Sequence, residues 1–208
     1  NAFTNGAAKR VINNVTRAAQ VLDYKVDPHW KEVADGLVFT HNADGVTMEY
    51  TGYEGQVIKQ TDVNMLAYPL GVVTDRDQII RDIDYYFGRI DPNGPAVSNA
   101  IIAVLHARLG DPETAFKVFK KSYTDKLRPP FGVLSENANN SRVSFATGLG
   151  GILQSVIFGF AGLEITEQGI IQLPTKIPSH WKSLTVTGVG VDKKTYKVEN
   201  PDYTGNQR

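Results

Sequence analysis

The chain has 208 residues, 41% of them hydrophobic and 21% charged, which supplies one substantial core and excludes a disordered chain. Its 22 basic and 22 acidic residues balance, and no run of Lys or Arg exceeds two, so a nucleic-acid-binding surface is not expected. Because the chain has no cysteine, it forms neither a disulfide nor a thiolate metal site.

The N-terminal part of the chain predicts two helices followed by a long loop. Alanine, valine and leucine recur at three- and four-residue spacing over residues 7–22, which indicates one apolar helix face. Asp27-Pro28 supplies an N-cap and a first-turn proline for a short helix that carries Trp30. Residues 35–55 are rich in Gly, Asp, Asn and Thr, and predict a loop of a length that is usually functional.

Residues 53–70 mix polar and apolar side chains and are predicted to form a helix. Polar groups are expensive to bury, so they are expected either to share one wet face or to converge on a polar ligand. On a helix, the adjacent Lys59 and Gln60 would point about 100° apart and would hold different hydroxyls of one sugar. Tyr53 and Trp30 would add an aromatic lining. An ordinary amphipathic helix explains the pattern equally well.

Three more helices are predicted in the middle of the chain. Thr74-Asp75 opens the first, and the Pro- and Gly-rich turn 91–95 ends it. Residues 96–109 form the second, closed by Gly110, and Asp111-Pro112 opens the third. The short connections between successive helices favour antiparallel neighbours.

The C-terminal half begins with an irregular stretch, 128–141, and then the most apolar segment, 145–163. This segment predicts a central helix buried on all sides, because its glycines would let backbones approach closely. It is too short and too interrupted for a membrane span. Beyond Glu164, β-branched residues alternate and predict strands. The strands are 169–173, 183–187 and 195–199.

Two kinds of site are not supported by residue spacing. The histidines lie too far apart for a metal site or a Ser-His-Asp triad, and no metal is predicted. They are His29, His41, His106 and His180. Residues 148–151 match neither a dinucleotide-binding fingerprint nor a P-loop, so phosphate binding there is not predicted.

Among the carboxylates, Glu136 has the most informative position. It lies in a polar loop just before the apolar helix, where it would face the mouth of a helical barrel. Acid–base cleavage of a glycosidic bond needs such a carboxylate opposite a second one. A solvated loop glutamate is the competing interpretation, because glutamate is mostly exposed. Asp44 and Glu54 are weaker candidates for this role.

Two N-glycosylation sequons begin at Asn14 and Asn139, and they fit a secretory route. Such tripeptides are common by chance, so they support a secretory route only together with other observations. The chain shows no signal peptide and starts at Asn1 without an initiator methionine, which we interpret as a processed or truncated end.

Six motifs, taken in order, resemble glycoside hydrolase family 65. They are Asn1-Ala2-Phe3-Thr4-Asn5, Tyr53-Glu54-Gly55, Lys59-Gln60-Thr61-Asp62-Val63, Leu109-Gly110-Asp111-Pro112, Phe158-Gly159-Phe160-Ala161-Gly162 and Pro178-Ser179-His180-Trp181-Lys182. They occur in the family's order and cover nearly the whole chain. Within the family, the chain is most similar to the C-terminal portion of fungal acid α,α-trehalases.

This resemblance implies a mainly α fold, with the later helices of an (α/α)6 barrel over 1–163 and part of a C-terminal β-sandwich over 164–208. It implies cofactor-free hydrolysis of trehalose to two glucose molecules by one inverting displacement, with two carboxyl groups about 6.5–9.5 Å apart. The family's general acid precedes the segment that matches Asn1–Asn5. The chain is therefore expected to need the N-terminal remainder of the same enzyme and to be inactive alone.

The resemblance also assigns the nucleophile and the sugar-binding residues. Family phosphorylases hold phosphate with a His-Asp-Ser-Ser-Leu-Ser loop, whereas residues 90–98 lack the histidine and the serine pair. Water is therefore the expected nucleophile, and Glu136 is expected to deprotonate it. Lys59 and Gln60 match the family's sugar-contacting pair, and Tyr53 and Glu54 are assigned beside them.

The expected partners are trehalose or a related α-linked glucose disaccharide and the N-terminal remainder of the enzyme, without nucleic acid or membrane. The expected location is the secretory pathway, either extracellular, in the cell wall or in the vacuole. Two alternatives stay open. One is an inverting disaccharide phosphorylase of the same family, and the other is a non-catalytic carbohydrate-binding or structural fragment.

Overall fold

The structure is a computed structural model that describes residues 1–139 and 143–203. The chain divides into a first compact unit, Asn1–Asp91, and a second that begins at Pro92. Helices predominate, so the predicted mainly α class is confirmed, whereas the barrel and the sandwich stay predictions. The α-helices are α1 (Ala2–Val21), α2 (Pro28–Gly36), α3 (Arg76–Phe87), α4 (Ala96–Arg108), α5 (Pro112–Lys121) and α6 (Ala146–Gln154).

The five helices predicted from caps and periodicity, α1 to α5, are confirmed. Their starts are fixed by side-chain caps where the sequence indicates them. The Asp27 carboxylate accepts from the His29 N–H at 2.9 Å, the Asp75 carboxylate from the Gln78 N–H at 2.8 Å, and the Asp111 carboxylate from the Thr114 N–H at 3.0 Å. Gly110 ends α4 with a φ of +86°, which glycine adopts without strain.

The prediction of a helix over residues 53–70 is wrong. Apart from a short 3-10 turn, Asn64–Leu66, the segment is irregular. Gly55 has a φ of +91°, outside the helical region, and Ile58 forms an isolated parallel bridge with Ile90. Tertiary packing of the chain against α3 and its C-terminal end thus overrides the local helical pattern.

The core of the first unit lies between α1, α3 and this irregular segment. Its buried residues come from all three and from the preceding loop: Ala2, Val46, Met48, Tyr53, Ile58, Val63, Leu66 and Tyr86. A Cβ atom at Gly6 would overlap the Leu66 side chain, so α1 needs a glycine where it crosses the 3-10 turn. The segment is therefore fixed by packing.

In the second unit, α4 is the central helix. Ala100, Ile102 and Val104 are each 0% exposed, and α4 packs against α5, α6 and the π-helix Ser155–Phe160 that continues α6. The prediction that 145–163 would be helical and buried on all sides is only partly right. Its helix stops at Phe160, and Leu153 is 61% exposed, whereas Gly151 and Gly159 pack closely against α4.

The described strands form three separate antiparallel pairs. Strand β1 (Leu127–Arg128) pairs with β2 (Val133–Leu134), β3 (Leu163–Thr166) with β4 (Gly169–Gln172), and β5 (Ser183–Val189) with β6 (Lys194–Glu199). The three predicted strands correspond to β4, β5 and β6. The sequence missed β3, because its apolar residues resemble a continuation of the preceding helix.

Candidate functional site

Lys59 and Gln60 are exposed and follow directly on the Ile58 bridge. The Ile58 N–H donates to the Arg89 carbonyl at 2.9 Å, and the Ile58 carbonyl accepts from the Asp91 N–H at 2.8 Å. These two bonds fix the main chain just before the Lys-Gln pair. A bend, and not the predicted helix, therefore presents the two side chains to solvent.

Tyr53 and Glu54, the other two predicted sugar-binding residues, have different environments. Tyr53 is 7% exposed, its hydroxyl donates to the Gln56 carbonyl, and its ring packs edge-on against Tyr50 at 5.5 Å. Burial raises the pKa of Tyr53 to about 12. Glu54 is exposed, and its N–H donates to the Gln56 side chain. Tyr53 thus supports the turn from which Glu54 projects.

Two neighbouring carboxyl groups, those of the buried Glu49 and the half-buried Asp62, were not recognised from the sequence. Glu49 is 7% exposed, its carboxyl group is hydrogen-bonded to Asp62, and the Val63 N–H donates to it. Burial, followed by the charge of Asp62, raises the pKa of Glu49 to about 7. Burial also raises the pKa of Asp62. Asp62 belongs to a recognised motif, but no periodicity marks Glu49 in the preceding loop.

The main chain near Glu49 is held by two groups of α3. The Tyr86 hydroxyl donates to the Thr47 carbonyl at 2.7 Å, and the Asp82 carboxylate accepts from the Thr47 N–H at 2.8 Å. Both side chains are buried, and burial raises the pKa of each. The Glu49 side chain is therefore placed by the core of the first unit.

Glu136 lies in the second unit, two residues after β2, and is half-buried. Its main-chain carbonyl accepts from the N–H of Ala96, the first residue of α4, at 3.0 Å. The neighbouring Ser135 is fully buried, and its N–H donates to the Lys126 carbonyl at 2.9 Å. A short loop, fixed to the start of the central helix, thus carries the candidate base.

The same loop is tied to the turn that precedes α4. The Asn139 side-chain amide donates to the side-chain oxygen of Asn93. Asn93 belongs to the 90–98 segment, for which the family resemblance predicts a match to the phosphate loop of phosphorylases. The structure therefore brings the Glu136 loop next to the turn at Asn93.

The remaining predicted sites are placed as follows. Asn14 is exposed in the middle of α1, and Asn139 is exposed in a turn. Asn140 and Ser141 of the second sequon lie outside the described residues. Over residues 1–139 and 143–203, no group of three or more His, Asp or Glu side chains could hold a metal ion. No described helix is long and apolar enough to cross a membrane.

Comparison with known proteins places the chain in one family. Residues 40–130 match the model of the glycosyl hydrolase family 65 central catalytic domain, a match that stops short of Glu136. A kojibiose hydrolase of Mucilaginibacter mallensis is 47% identical over 95% of this chain. A periplasmic/secreted acid trehalase of Candida glabrata is 33% identical over 78% of the chain.

The chain spans 29% of the length of that kojibiose hydrolase and 14% of that trehalase. A solved structure assigned as a kojibiose phosphorylase from the human microbiome superposes with a TM-score of 0.72. The superposed region covers 96% of this chain and 32% of the phosphorylase chain. At 16% sequence identity, this likeness concerns the fold alone. The family model and the two sequence relatives together show that the chain belongs to glycoside hydrolase family 65.

Proposed function

We propose that this chain contributes the water-activating side of an inverting glycosidase active site, with Glu136 as the general base. The observation that carries the proposal is the contact of the Glu136 loop with the start of α4, made by the Ala96 N–H and the Asn93 side chain. In family phosphorylases the matching segment holds phosphate, but here it lacks the histidine and serine pair. A carboxylate beside this segment would serve a water molecule, which must lose a proton in order to attack.

The proposed reaction is a single displacement at the anomeric carbon. The Glu136 carboxylate accepts a proton from water, whose oxygen attacks the anomeric carbon of an α-linked glucosyl unit. The glycosidic oxygen leaves as the hydroxyl group of the second sugar after a general acid protonates it. From the family resemblance, we propose that a residue outside these 208 is that acid, so the chain by itself would be inactive. The first product would be β-glucose.

The substrate class is proposed from the relatives. Kojibiose comes first, because the relative named for it is 47% identical to this chain, and trehalose second, because the acid trehalase is 33% identical. Lys59 and Gln60 would hold hydroxyl groups of the non-reducing glucose. A positive and a neutral donor, both exposed on a fixed bend, suit that task.

The test replaces Glu136 by Gln in the full-length protein and measures the hydrolysis of kojibiose and trehalose. A general base contributes about 10²-fold or more, so E136Q should lose at least that much kcat with a small change in KM. The control is E167Q, at an exposed glutamate between β3 and β4. It should retain the wild-type rate.

Three outcomes would contradict parts of the proposal. A loss of less than about tenfold in E136Q removes Glu136 from the mechanism. Release of glucose 1-phosphate that depends on added phosphate identifies a disaccharide phosphorylase. A full-length protein that turns over no α-glucoside but binds one identifies a carbohydrate-binding protein.

We also propose a location in the secretory pathway or periplasm, supported by the periplasmic/secreted relative. Intact-mass measurement of the native protein with and without glycosidase treatment would test occupancy of Asn14 and Asn139.

The domain boundary after residue 163 stays a proposal, which limited proteolysis of the full-length protein would test.

A further inference from the structure

Arg128 ends strand β1, and its guanidinium group donates to four main-chain carbonyl groups. Nη2 donates to the carbonyls of Asn137 at 3.0 Å and Ala138 at 2.7 Å. Nη1 donates to the carbonyls of Asp125 at 3.0 Å and Leu127 at 3.4 Å. The two terminal nitrogens of the guanidinium carry four protons, enough to make these four bonds.

The four carbonyls come from the two sides of the loop that carries Glu136. Asp125 precedes β1 and Leu127 is its first residue, whereas Asn137 and Ala138 follow Glu136 directly. The guanidinium group therefore holds the main chain after Glu136 against the chain that leads into the hairpin.

Other contacts fix the near side of the loop, and on the far side Arg128 acts together with the Ser135 hydroxyl and the Asn139 side chain. The Ser135 N–H donates to the Lys126 carbonyl, and the Glu136 carbonyl accepts from the Ala96 N–H. The Ser135 hydroxyl also lies 2.7 Å from the Asn137 carbonyl. Among these contacts, those from Arg128 have a charged donor, and such bonds are roughly twice as strong as neutral ones.

The chemistry of these contacts requires an arginine. The planar fork reaches two pairs of acceptors in two fixed directions, whereas a lysine ammonium is a single point with three donors. A lysine at this position would keep the charge but would not span both sides of the loop.

We propose that Arg128 is a positioning residue for Glu136, which holds the far side of its loop so that the carboxylate is aimed at the attacking water. This inference rests on the proposed function of Glu136. A displacement of about 1 Å can cost a catalytic group about 10²-fold in rate, so loss of the clamp should be visible in kcat.

The experiment compares R128A with R108A in the full-length protein. Arg108 is a matched control, because its guanidinium also donates to main-chain carbonyls of the second unit, Phe158 at 3.1 Å and Leu163 at 3.5 Å. The substrates are kojibiose and α-glucosyl fluoride. Fluoride leaves without protonation, so the second substrate reports on the activation of water.

R128A should lower kcat about 10²-fold on both substrates, with KM changed by less than about threefold. R108A should lower the thermal midpoint but keep the wild-type kcat. Added guanidinium ion should restore part of the activity of R128A and none of that of E136Q. The kcat of R128K should lie between that of R128A and that of the wild type. If R128A does not fold, a kcat of R128K equal to the wild-type value would overturn the inference.

Equal losses of kcat in R128A and R108A would overturn the inference, as would a rise in KM at unchanged kcat in R128A. Either result leaves Arg128 with a structural role only. These outcomes are distinct from failure of the proposed function, which is shown by an active E136Q.

Discussion

The carboxyl groups of Glu49 and Asp62 are hydrogen-bonded to each other in the first unit, where Glu49 is 7% exposed and Asp62 is half-buried. Oε2 of Glu49 has no hydrogen-bond partner among the described residues. Two ionised carboxylates so placed would repel each other without solvation, so the pair holds a proton most stably on Glu49. Because Asp62 follows two residues after Gln60, the protonation of this pair bears on the segment that presents Lys59 and Gln60.

The first prediction concerns the pH dependence of stability. The pKa of Glu49 rises from 4.5 in the unfolded chain to about 7 in the folded protein. Its stabilising contribution is therefore fully present below pH 4.5 and is lost as the pH rises through about 7, to a total of about 3 kcal/mol. Thermal midpoints measured across this range should fall with pH in the wild type and fall less in E49Q, which cannot ionise and still donates to Asp62.

The control for this measurement is E167Q, which should follow the wild-type curve. If E49Q and the wild type lose stability in parallel between pH 5 and pH 8, Glu49 does not hold the proton.

The second prediction concerns sugar binding. K59A and Q60A should each raise KM for the glucoside, by about tenfold or more for the lysine, because a hydrogen bond from a charged donor contributes about 1.5–3 kcal/mol. Both side chains are exposed, so the thermal midpoint should stay within experimental error. Steady-state kinetics of the full-length protein provide the measurement.

Lys31 is the matched control, because it is an exposed lysine of the same unit, paired with Asp35 within α2. K31A should leave KM unchanged. A KM in K59A equal to that of K31A would rule out a sugar contact by Lys59.

The third prediction concerns two buried serines of the second unit. Ser98 is 1% exposed, and its hydroxyl has no partner within the described part of the chain, whereas the Ser155 hydroxyl lies 2.9 Å from the Gly151 carbonyl and 3.0 Å from that of Ala100. S98A should therefore be neutral or stabilising by up to about 1 kcal/mol, because it removes an unsatisfied polar group. S155A should destabilise by about 1–2 kcal/mol, because it leaves the carbonyls with one bond fewer.

Thermal or denaturant unfolding of the two variants gives the comparison. If S98A loses as much stability as S155A, the Ser98 hydroxyl has a partner that the described residues do not supply.

The fourth prediction separates two adjacent glycines of α6. A Cβ at Gly151 would lie 2.9 Å from the Cβ of Ala100, whereas nothing lies within 4 Å of a Cβ at Gly150. G151A should therefore destabilise by about 1–3 kcal/mol through overpacking. G150A should stabilise by about 0.5–1 kcal/mol, because alanine has the higher helix propensity. Equal effects of the two changes on the unfolding midpoint would show that α6 does not pack against α4 at Gly151.

Part of the candidate site was predictable from the sequence. The family motifs pointed to Lys59 and Gln60, and a polar loop just before the apolar helix pointed to Glu136. The roles of all three stay predictions. Glu49 and Arg128 were not recognised, because neither lies in a pattern. Their importance comes from partners that are distant along the chain or from carbonyl groups, which a sequence does not display.

The sequence by itself determined the starts of α2, α3 and α5 and the end of α4, since an Asp, Pro or Gly acts on the backbone groups of its own first or last turn. Only the tertiary structure decided the course of residues 53–70. There, long-range bonds and packing outweigh a local helical preference of a few tenths of a kcal/mol per residue. They come from the Ile58–Ile90 bridge, the close approach of Gly6 and the Glu49–Asp62 pair.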